Sequence, residues 1–367
     1  MRYSIGASES SFVYILGLCA GSMLCSVLNT FLMLGSFAGM NIMTWITYAL
    51  NQAAFLIVVF GYGWMRHVSI PTVAHIRKPK NPKQLIIIPF LAIATIILFL
   101  PLSDLFMKLL GAMGYQISSV QMPRFENVGI YFMSLLFMAA LPAIGEEFLM
   151  RGVLLNGLST RSTWFGILIS ALLFSLMHQN PLQTVHQFGL GVVLAIVMIM
   201  SGSIWPCVLM HFLNNFMSIT MTAYIPQIDQ MLYGLGNWIY LTDIISIVVG
   251  FILVVCLLYL YYRLGQPKRA KYRAATDGIV YEEFAIYATP AVKAENKKMS
   301  FKTSMFADMC RFFASLFTKR GWRNVTNEIS CQNDAVFLGR SQPMFNVWLA
   351  IAFAVFYWVI ILIMGFI

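Results

Sequence analysis

The sequence predicts an all-α fold, a polytopic transmembrane helix bundle of about eight core helices plus one C-terminal span. The first observation is composition: 59% of the 367 residues are hydrophobic and 10% are charged, whereas soluble domains carry about 25% charged residues. The second is a series of apolar runs that can cross a hydrocarbon core of about 30 Å. The third is the grouping of Lys and Arg in alternate loops between those runs.

Nine apolar runs are long enough, or nearly so, to span a membrane. We place them at 12–34, 44–65, 84–103, 128–157, 163–178, 186–202, 203–223, 238–262 and 345–367. We expect helices, because the open edge of a sheet cannot be hydrogen-bonded in lipid. The first run is longer than the apolar region of a signal peptide, so we expect it to be retained as a span.

Charge in the loops predicts the orientation of the chain. The loop at 66–83 holds five basic residues and no acidic one, the loop after the seventh run holds only Asp229, and the segment after the eighth run is again basic. The positive-inside rule therefore puts the N-terminus and residues 264–344 in the cytoplasm. We expect an integral protein of a bacterial plasma membrane. His67 and His75 lie in the first basic loop, and we expect both to be solvated.

The net charge of +10 is typical of these loops and of contact with anionic membrane lipid. No basic module with interleaved aromatic residues is visible, so we expect no nucleic-acid partner. Within 264–344, an apolar stripe at helical spacing predicts an amphipathic helix that lies on the inner membrane surface or packs on a small soluble domain. The stripe consists of Phe301, Met305, Met309, Phe312 and Leu316, widened by Phe306, Phe313 and Phe317.

Ionisable residues inside apolar runs are candidates for function, because they are costly to bury in a membrane. Glu147 and Arg151 are four residues apart, so they share a helix face and can form an ion pair. Glu146 points about 100° away from that face. His178 ends the fifth run, and His211 lies in the seventh.

Several uses of a buried glutamate and two histidines remain open from spacing alone. Glu146 with a histidine could act as a general base on water. Glu146, His178 and His211 could bind a divalent metal such as zinc, although no cofactor follows with certainty. The same residues could relay protons in a transporter. They could also form a polar cluster that only fixes helix packing.

The polar residues form three ordered motifs, Glu146-Glu147-x-x-x-Arg151, Phe174-x-x-x-His178 and His211-x-x-x-Asn215. This pattern resembles the signature of the CPBP (CAAX protease and bacteriocin-processing, or Abi) family of intramembrane endopeptidases, which includes type II CAAX prenyl proteases. The matching region is 128–223, about a quarter of the chain. Every signature position is intact.

The resemblance implies an intramembrane peptidase that uses glutamate-activated water, although family members are often labelled metalloproteases. It implies that Glu146 and His178 polarise the water and that His211 and Asn215 line the oxyanion site. Glu147, Arg151 and Phe174 would support them: the ion pair orients the active helix, and Phe174 packs near His178. We hypothesise that no tightly bound catalytic metal is needed.

The implied substrate is a peptide or protein cut in or next to the membrane, with CAAX-type prenyl-peptide processing and leader-peptide processing as the options. Two other readings remain: a non-catalytic immunity or scaffold protein of the same fold, and a proton-coupled transporter. Asn214 and His186 have no position in the motifs, and we expect both to be structural.

These features divide the chain into five predicted regions. They are N-terminal transmembrane helices at 1–127, a CPBP-like catalytic core at 128–223, an eighth transmembrane helix at 224–263, a cytoplasmic basic segment at 264–344 and a C-terminal transmembrane helix at 345–367.

Overall fold

The computed structural model describes residues 4–31, 35–79, 81–116, 122–224, 238–265, 301–318, 322, 325 and 344–366. The chain divides into two compact units, one formed by residues 1–265 with 326–367 and the other by residues 266–325. Most of the predicted cytoplasmic segment at 264–344, and the loop that contains Asp229, lie outside the described residues.

The first unit is built from helices. They are α1 (Ala7–Phe31), α2 (Ile42–Met65), α3 (Ile70–Val73), α4 (Gln84–Ala112), α5 (Val128–Ser159), α6 (Thr163–Met177), α7 (Thr184–Ser201), α8 (Trp205–Tyr224), α9 (Trp238–Gly265) and, at the C-terminal end, α11 (Phe345–Met364). A 3₁₀ turn at Pro181–Gln183 precedes α7. The only strands among the described residues are the two-residue pair β1 (Ser36–Phe37) and β2 (Met40–Asn41). The all-α prediction is confirmed.

Seven of the described helices are long and apolar enough to cross a membrane: Ala7–Phe31, Ile42–Met65, Gln84–Ala112, Val128–Ser159, Pro181–Ser201, Leu241–Gly265 and Phe345–Met364. The other two predicted spans are also helical, as α6 and α8. Helix α6 has 15 residues, which at 1.5 Å per residue gives about 22 Å, less than a hydrocarbon core. The chain is an integral membrane protein, with α6 as an apolar helix shorter than a full span.

Loops that alternating spans would bring to one side of the membrane contact each other. Nε of Arg77, after α2, donates to the carbonyl of Gly202, after α7, at 2.8 Å. Nδ2 of Asn346, at the start of α11, donates to the carbonyl of Ser8 at 3.2 Å. These contacts join loops that the alternating order places together.

The opposite ends of the helices also meet. The backbone N–H of Arg124, before α5, donates to the carbonyl of Ala38, between α1 and α2, at 2.7 Å. The N–H of Gln116, after α4, donates to the carbonyl of Gly365, after α11, also at 2.7 Å. Both pairs fit the predicted alternation of loops between the two sides of the membrane.

Helix α5, which carries the glutamates, changes its winding twice. It is π-helical at Leu135–Ala140 and again at Phe148–Leu154, with α-helical turns between and around these segments. A π segment shifts backbone hydrogen bonds from four to five residues and is frequent at functional sites. Just after the second segment, Nδ2 of Asn156 donates to the carbonyls of Arg151 and Gly152, both at 3.0 Å.

The second unit contains the helix α10 (Phe301–Leu316), where the amphipathic pattern predicts one. Phe312 and Leu316 are buried, whereas Phe306 and Phe317 are 64% and 80% exposed. The placement of the stripe on the membrane surface or on a soluble domain stays a prediction. The side chains of residues 301–305 lie outside the described part of the chain.

Candidate active site

Three predicted site residues from separate helices meet at one carboxylate oxygen. Nε2 of His178, directly after α6, lies 3.8 Å from Oε2 of Glu146 on α5. Nε2 of His211 on α8 lies 3.9 Å from the same oxygen. These separations exceed a direct hydrogen bond, and a small molecule such as water can bridge polar groups at this spacing.

The other ring nitrogen of each histidine fixes its tautomer. Nδ1 of His178 lies 2.7 Å from the carbonyl of Phe174, and Nδ1 of His211 lies 2.8 Å from Oε1 of Glu147. A carbonyl and an ionised carboxylate only accept, so each Nδ1 carries a proton and donates it. Both Nε2 atoms therefore turn towards Glu146.

Glu147 and Arg151 form the ion pair that their spacing predicts. Nη1 of Arg151 lies 2.8 Å from Oε1 of Glu147, and both side chains are almost fully buried. Nη2 of Arg151 also donates to the carbonyl of Gly191 on α7 at 3.2 Å. A buried charge is tolerated when it is paired and hydrogen-bonded. The pair thus anchors α5 to α7 directly behind the site.

Phe174 fills the space between the charged groups. Its ring centroid is 5.0 Å from the ring of His178 and 5.6 Å from that of His211, both edge to face. The guanidinium of Arg151 lies over the ring at 4.3 Å, a cation–π distance. The side chain is fully buried, so it holds both imidazoles in place through packing. Phe174 packs near His178, as expected.

A buried turn precedes the helix that carries His211. His211 lies six positions after Trp205, about 9 Å along the helix, which suggests a position close to the start of α8. However, residues 201–204 are all buried, because the loop after α2 covers them. The N–H of Ile204 donates to the carbonyl of His75 at 3.2 Å. The prediction that His75 is solvated is wrong, since 7% of it is exposed, whereas His67 is exposed as expected.

Gln52 on α2 is a site residue that the motifs did not indicate. Its Nε2 donates to Oε1 of Glu146 at 3.2 Å, and both side chains are buried. The signal in the sequence is an Asn-Gln pair inside an otherwise apolar span. Gly145 makes this contact possible, because a Cβ there would lie 3.0 Å from Cα of Gln52. Gln52 holds one oxygen of Glu146 and leaves the other facing the histidines.

Asn215, the fourth predicted catalytic residue, belongs to a separate network of hydrogen-bonded side chains. Its Nδ2 donates to the carbonyl of Met138 on α5 at 3.4 Å, and its Oδ1 accepts from Nδ2 of Asn214 at 3.3 Å. Oδ1 of Asn214 lies 3.1 Å from Nε2 of His186 on α7. Within the described residues, no hydrogen bond joins Asn215 to Glu146 or to either motif histidine.

The donor set of Glu146, His178 and His211 matches that of zinc hydrolases in type. The distances do not match. Two atoms that bind one tetrahedral zinc at about 2.0–2.1 Å are about 3.3 Å apart. Nε2 of His178 and Nε2 of His211 lie 3.8 and 3.9 Å from Oε2 of Glu146. Across the described ranges, no group of three or more His, Cys, Asp or Glu side chains is arranged to hold a metal ion. These residues do not form a ready metal site.

Residues 128–217 match the family described as type II CAAX prenyl endopeptidase Rce1-like. The chain therefore carries a domain of this family, which at the family level is one of intramembrane CAAX-type proteases. The comparisons with curated proteins and with solved structures found no match. The matched segment spans α5 to most of α8 and includes all three motifs.

Proposed function

We propose that this protein is an endopeptidase that hydrolyses a peptide bond of a prenylated CAAX-type substrate in or next to the membrane. The observation that carries the proposal is the position of Oε2 of Glu146. This oxygen is buried, has no hydrogen-bond partner within the described residues, and faces two Nε2 atoms at 3.8 and 3.9 Å. A site that leaves a buried carboxylate oxygen without a partner favours a small polar ligand there.

Water is the ligand that fits this position best. It would donate one hydrogen to Oε2 of Glu146 and the other to the unprotonated Nε2 of His178. Glu146 acts as the general base: as the water oxygen attacks the scissile carbonyl carbon, the proton moves to Oε2. Glu146 then returns this proton to the departing amine, so hydrolysis yields one carboxyl and one amine product and restores the carboxylate.

Charge that develops on the carbonyl oxygen needs donors. His211 would supply an Nε2–H to this oxygen, while its Nδ1 stays bonded to Oε1 of Glu147. Asn215 would supply a second donor through its amide, because one hydrogen of Nδ2 remains after the bond to Met138. Removing one such donor in acyl-transfer enzymes lowers kcat about 10²–10³-fold.

In this scheme Glu146 and His178 activate the water without a metal. The buried ion pair of Glu147 and Arg151 supports the site by positioning α5 and His211. Substrate class rests on the family match, whose description names prenyl endopeptidases.

The test is turnover by purified protein in liposomes. The substrates are a farnesylated CAAX peptide, the same peptide without the lipid, and an unrelated leader peptide. We expect cleavage of the farnesylated peptide by the wild type and loss of cleavage with Glu146→Gln in a folded protein. Cleavage of the leader peptide alone would overturn the substrate class. If no peptide is cleaved and cells that carry Glu146→Gln behave as the wild type, the proposed enzymatic activity is overturned. A binding protein is then favoured.

A further inference from the structure

The hydrogen bonds that link His186, Asn214 and Asn215 to Met138 can be donated in only one direction. Its last acceptor is the carbonyl of Met138, which cannot donate. Asn215 must therefore present Nδ2 to Met138, at 3.4 Å, and turn Oδ1 back towards Asn214. Asn214 must then donate from Nδ2, at 3.3 Å. This leaves Oδ1 of Asn214 facing His186.

The first donor in the chain is consequently His186. Oδ1 of Asn214 only accepts, so Nε2 of His186, at 3.1 Å, must carry a proton. Nδ1 of the neutral ring is then an acceptor, and it is buried without a hydrogen-bond partner within the described residues. A ring flipped to pair that nitrogen would lose the donor that orients Asn214.

Met138 lies in the first π-helical segment of α5, Leu135–Ala140, a winding that is frequent at functional sites. Its carbonyl accepts from Nδ2 of Asn215 at 3.4 Å. The contacts of 3.3 and 3.4 Å are long for hydrogen bonds, as is common in catalytic sites before substrate binds.

We infer that His186 and Asn214 are positioning residues that set the amide of Asn215 so that its second N–H is available to the substrate. This inference rests on the proposed oxyanion role of Asn215. His186 donates to Asn214 and Asn214 donates to Asn215, so these bonds hold the Asn215 amide in the orientation that its bond to Met138 also requires. Without the relay, only the 3.4 Å bond to Met138 holds the amide, and an amide that rotates would offer an oxygen to the developing oxyanion, which would repel it.

Four variants test the relay on the farnesylated peptide in liposomes. His186→Phe removes the first donor and should lower kcat about tenfold with little change in KM, as expected for the loss of one orienting hydrogen bond. His186→Gln keeps a nitrogen donor at about the reach of Nε2 and should recover most of that loss. Asn214→Asp keeps the shape but removes the donor to Asn215, so it should lower kcat at least as much. Gln187→Leu, one residue along α7, is the matched control and should leave kcat unchanged.

A double-mutant cycle separates positioning from simple destabilisation. In an Asn215→Ala background, His186→Phe should have no further effect on kcat, because the amide that it orients is gone. An equal loss in both backgrounds would overturn the relay, as would wild-type activity of Asn214→Asp. If Asn215→Ala itself leaves kcat unchanged, the proposed oxyanion role fails. If Asn215→Ala lowers kcat and His186→Phe does not, the relay alone fails.

Discussion

Nδ1 of His211 lies 2.8 Å from Oε1 of Glu147, and both side chains are buried. The same oxygen of Glu147 accepts from Arg151. One carboxylate thus positions an imidazole of the site and neutralises a buried arginine. The adjacent glutamates therefore have different surroundings, because Glu146 faces two histidines that leave Oε2 without a hydrogen bond.

Substitution of each glutamate should separate chemistry from stability. Glu146→Gln should lower kcat by about 10²–10⁴, the usual contribution of a general base, with little loss of stability. Glu147→Gln leaves Arg151 buried without a counter-charge and should cost about 3–5 kcal/mol of folding stability. Turnover and thermal unfolding of the two purified variants measure this difference. A Glu147→Gln protein as stable as the wild type would contradict the assignment.

Gln52→Leu should lower kcat about tenfold with KM nearly unchanged. The physical reason is that Oε1 of Glu146 loses its donor at 3.2 Å, so the carboxylate can rotate away from the histidines, at the cost of about one hydrogen bond. The matched control is Asn51→Ala on the same helix, whose Oδ1 accepts from Sγ of Cys25 at 3.6 Å and which should retain its activity. Equal activity of Gln52→Leu and the wild type in steady-state kinetics would refute this role.

Gly145→Ala should destabilise the protein by about 1–3 kcal/mol, as overpacking does, and should also lower kcat. The added Cβ would lie 2.5 Å from Oε1 and 3.0 Å from Cα of Gln52, which forces α2 and α5 apart. Gly61→Ala on α2 is the control, because a Cβ there meets no atom within 4 Å. Unfolding temperature and turnover of both variants check the expectation, and a neutral Gly145→Ala would show that the helices can separate without cost.

A strong chelator should leave kcat unchanged, and elemental analysis of the active protein should find far less than one transition metal per chain. The reason is that Nε2 of His178 and Oε2 of Glu146 are 3.8 Å apart, wider than the roughly 3.3 Å between two ligands of one tetrahedral zinc. The control is a metalloprotease of known zinc dependence treated in the same liposomes. Activity that is lost with the chelator and restored by zinc would contradict the metal-free mechanism.

Orientation can be measured by labelling a cysteine-free variant that carries one new cysteine. Lys78→Cys, in the exposed part of the basic loop, should be protected from a membrane-impermeant thiol reagent in intact cells. Ser36→Cys, exposed between α1 and α2, should be labelled. The reverse pattern would place the N-terminus outside and overturn the predicted topology while leaving the alternation intact.

Local spacing in the sequence predicted much of the site. Glu147 and Arg151 pair because residues four apart on a helix share a face, and this does not depend on the rest of the fold. The order of the three motifs likewise predicted the family, and the match at 128–217 confirms it. The role of each residue in catalysis remains a prediction that the experiments above address.

Other parts could not be predicted, because they depend on contacts between distant segments. Gln52 reaches Glu146 across 94 positions, and no spacing rule joins a residue of α2 to one of α5. His75 is buried because its loop covers the α7–α8 turn, a contact that loop composition does not reveal.

The sequence by itself determined the membrane class, the helices, the three motifs and the Glu147–Arg151 pair, because apolar length and helical periodicity act within a few turns of chain. Only the tertiary structure decided that His178 and His211 converge on one oxygen of Glu146 and that Asn215 bonds to Met138. Those relations depend on where each helix begins relative to its neighbours. In this fold the buried turn before α8 contacts the loop after α2, and α5 contains two π segments.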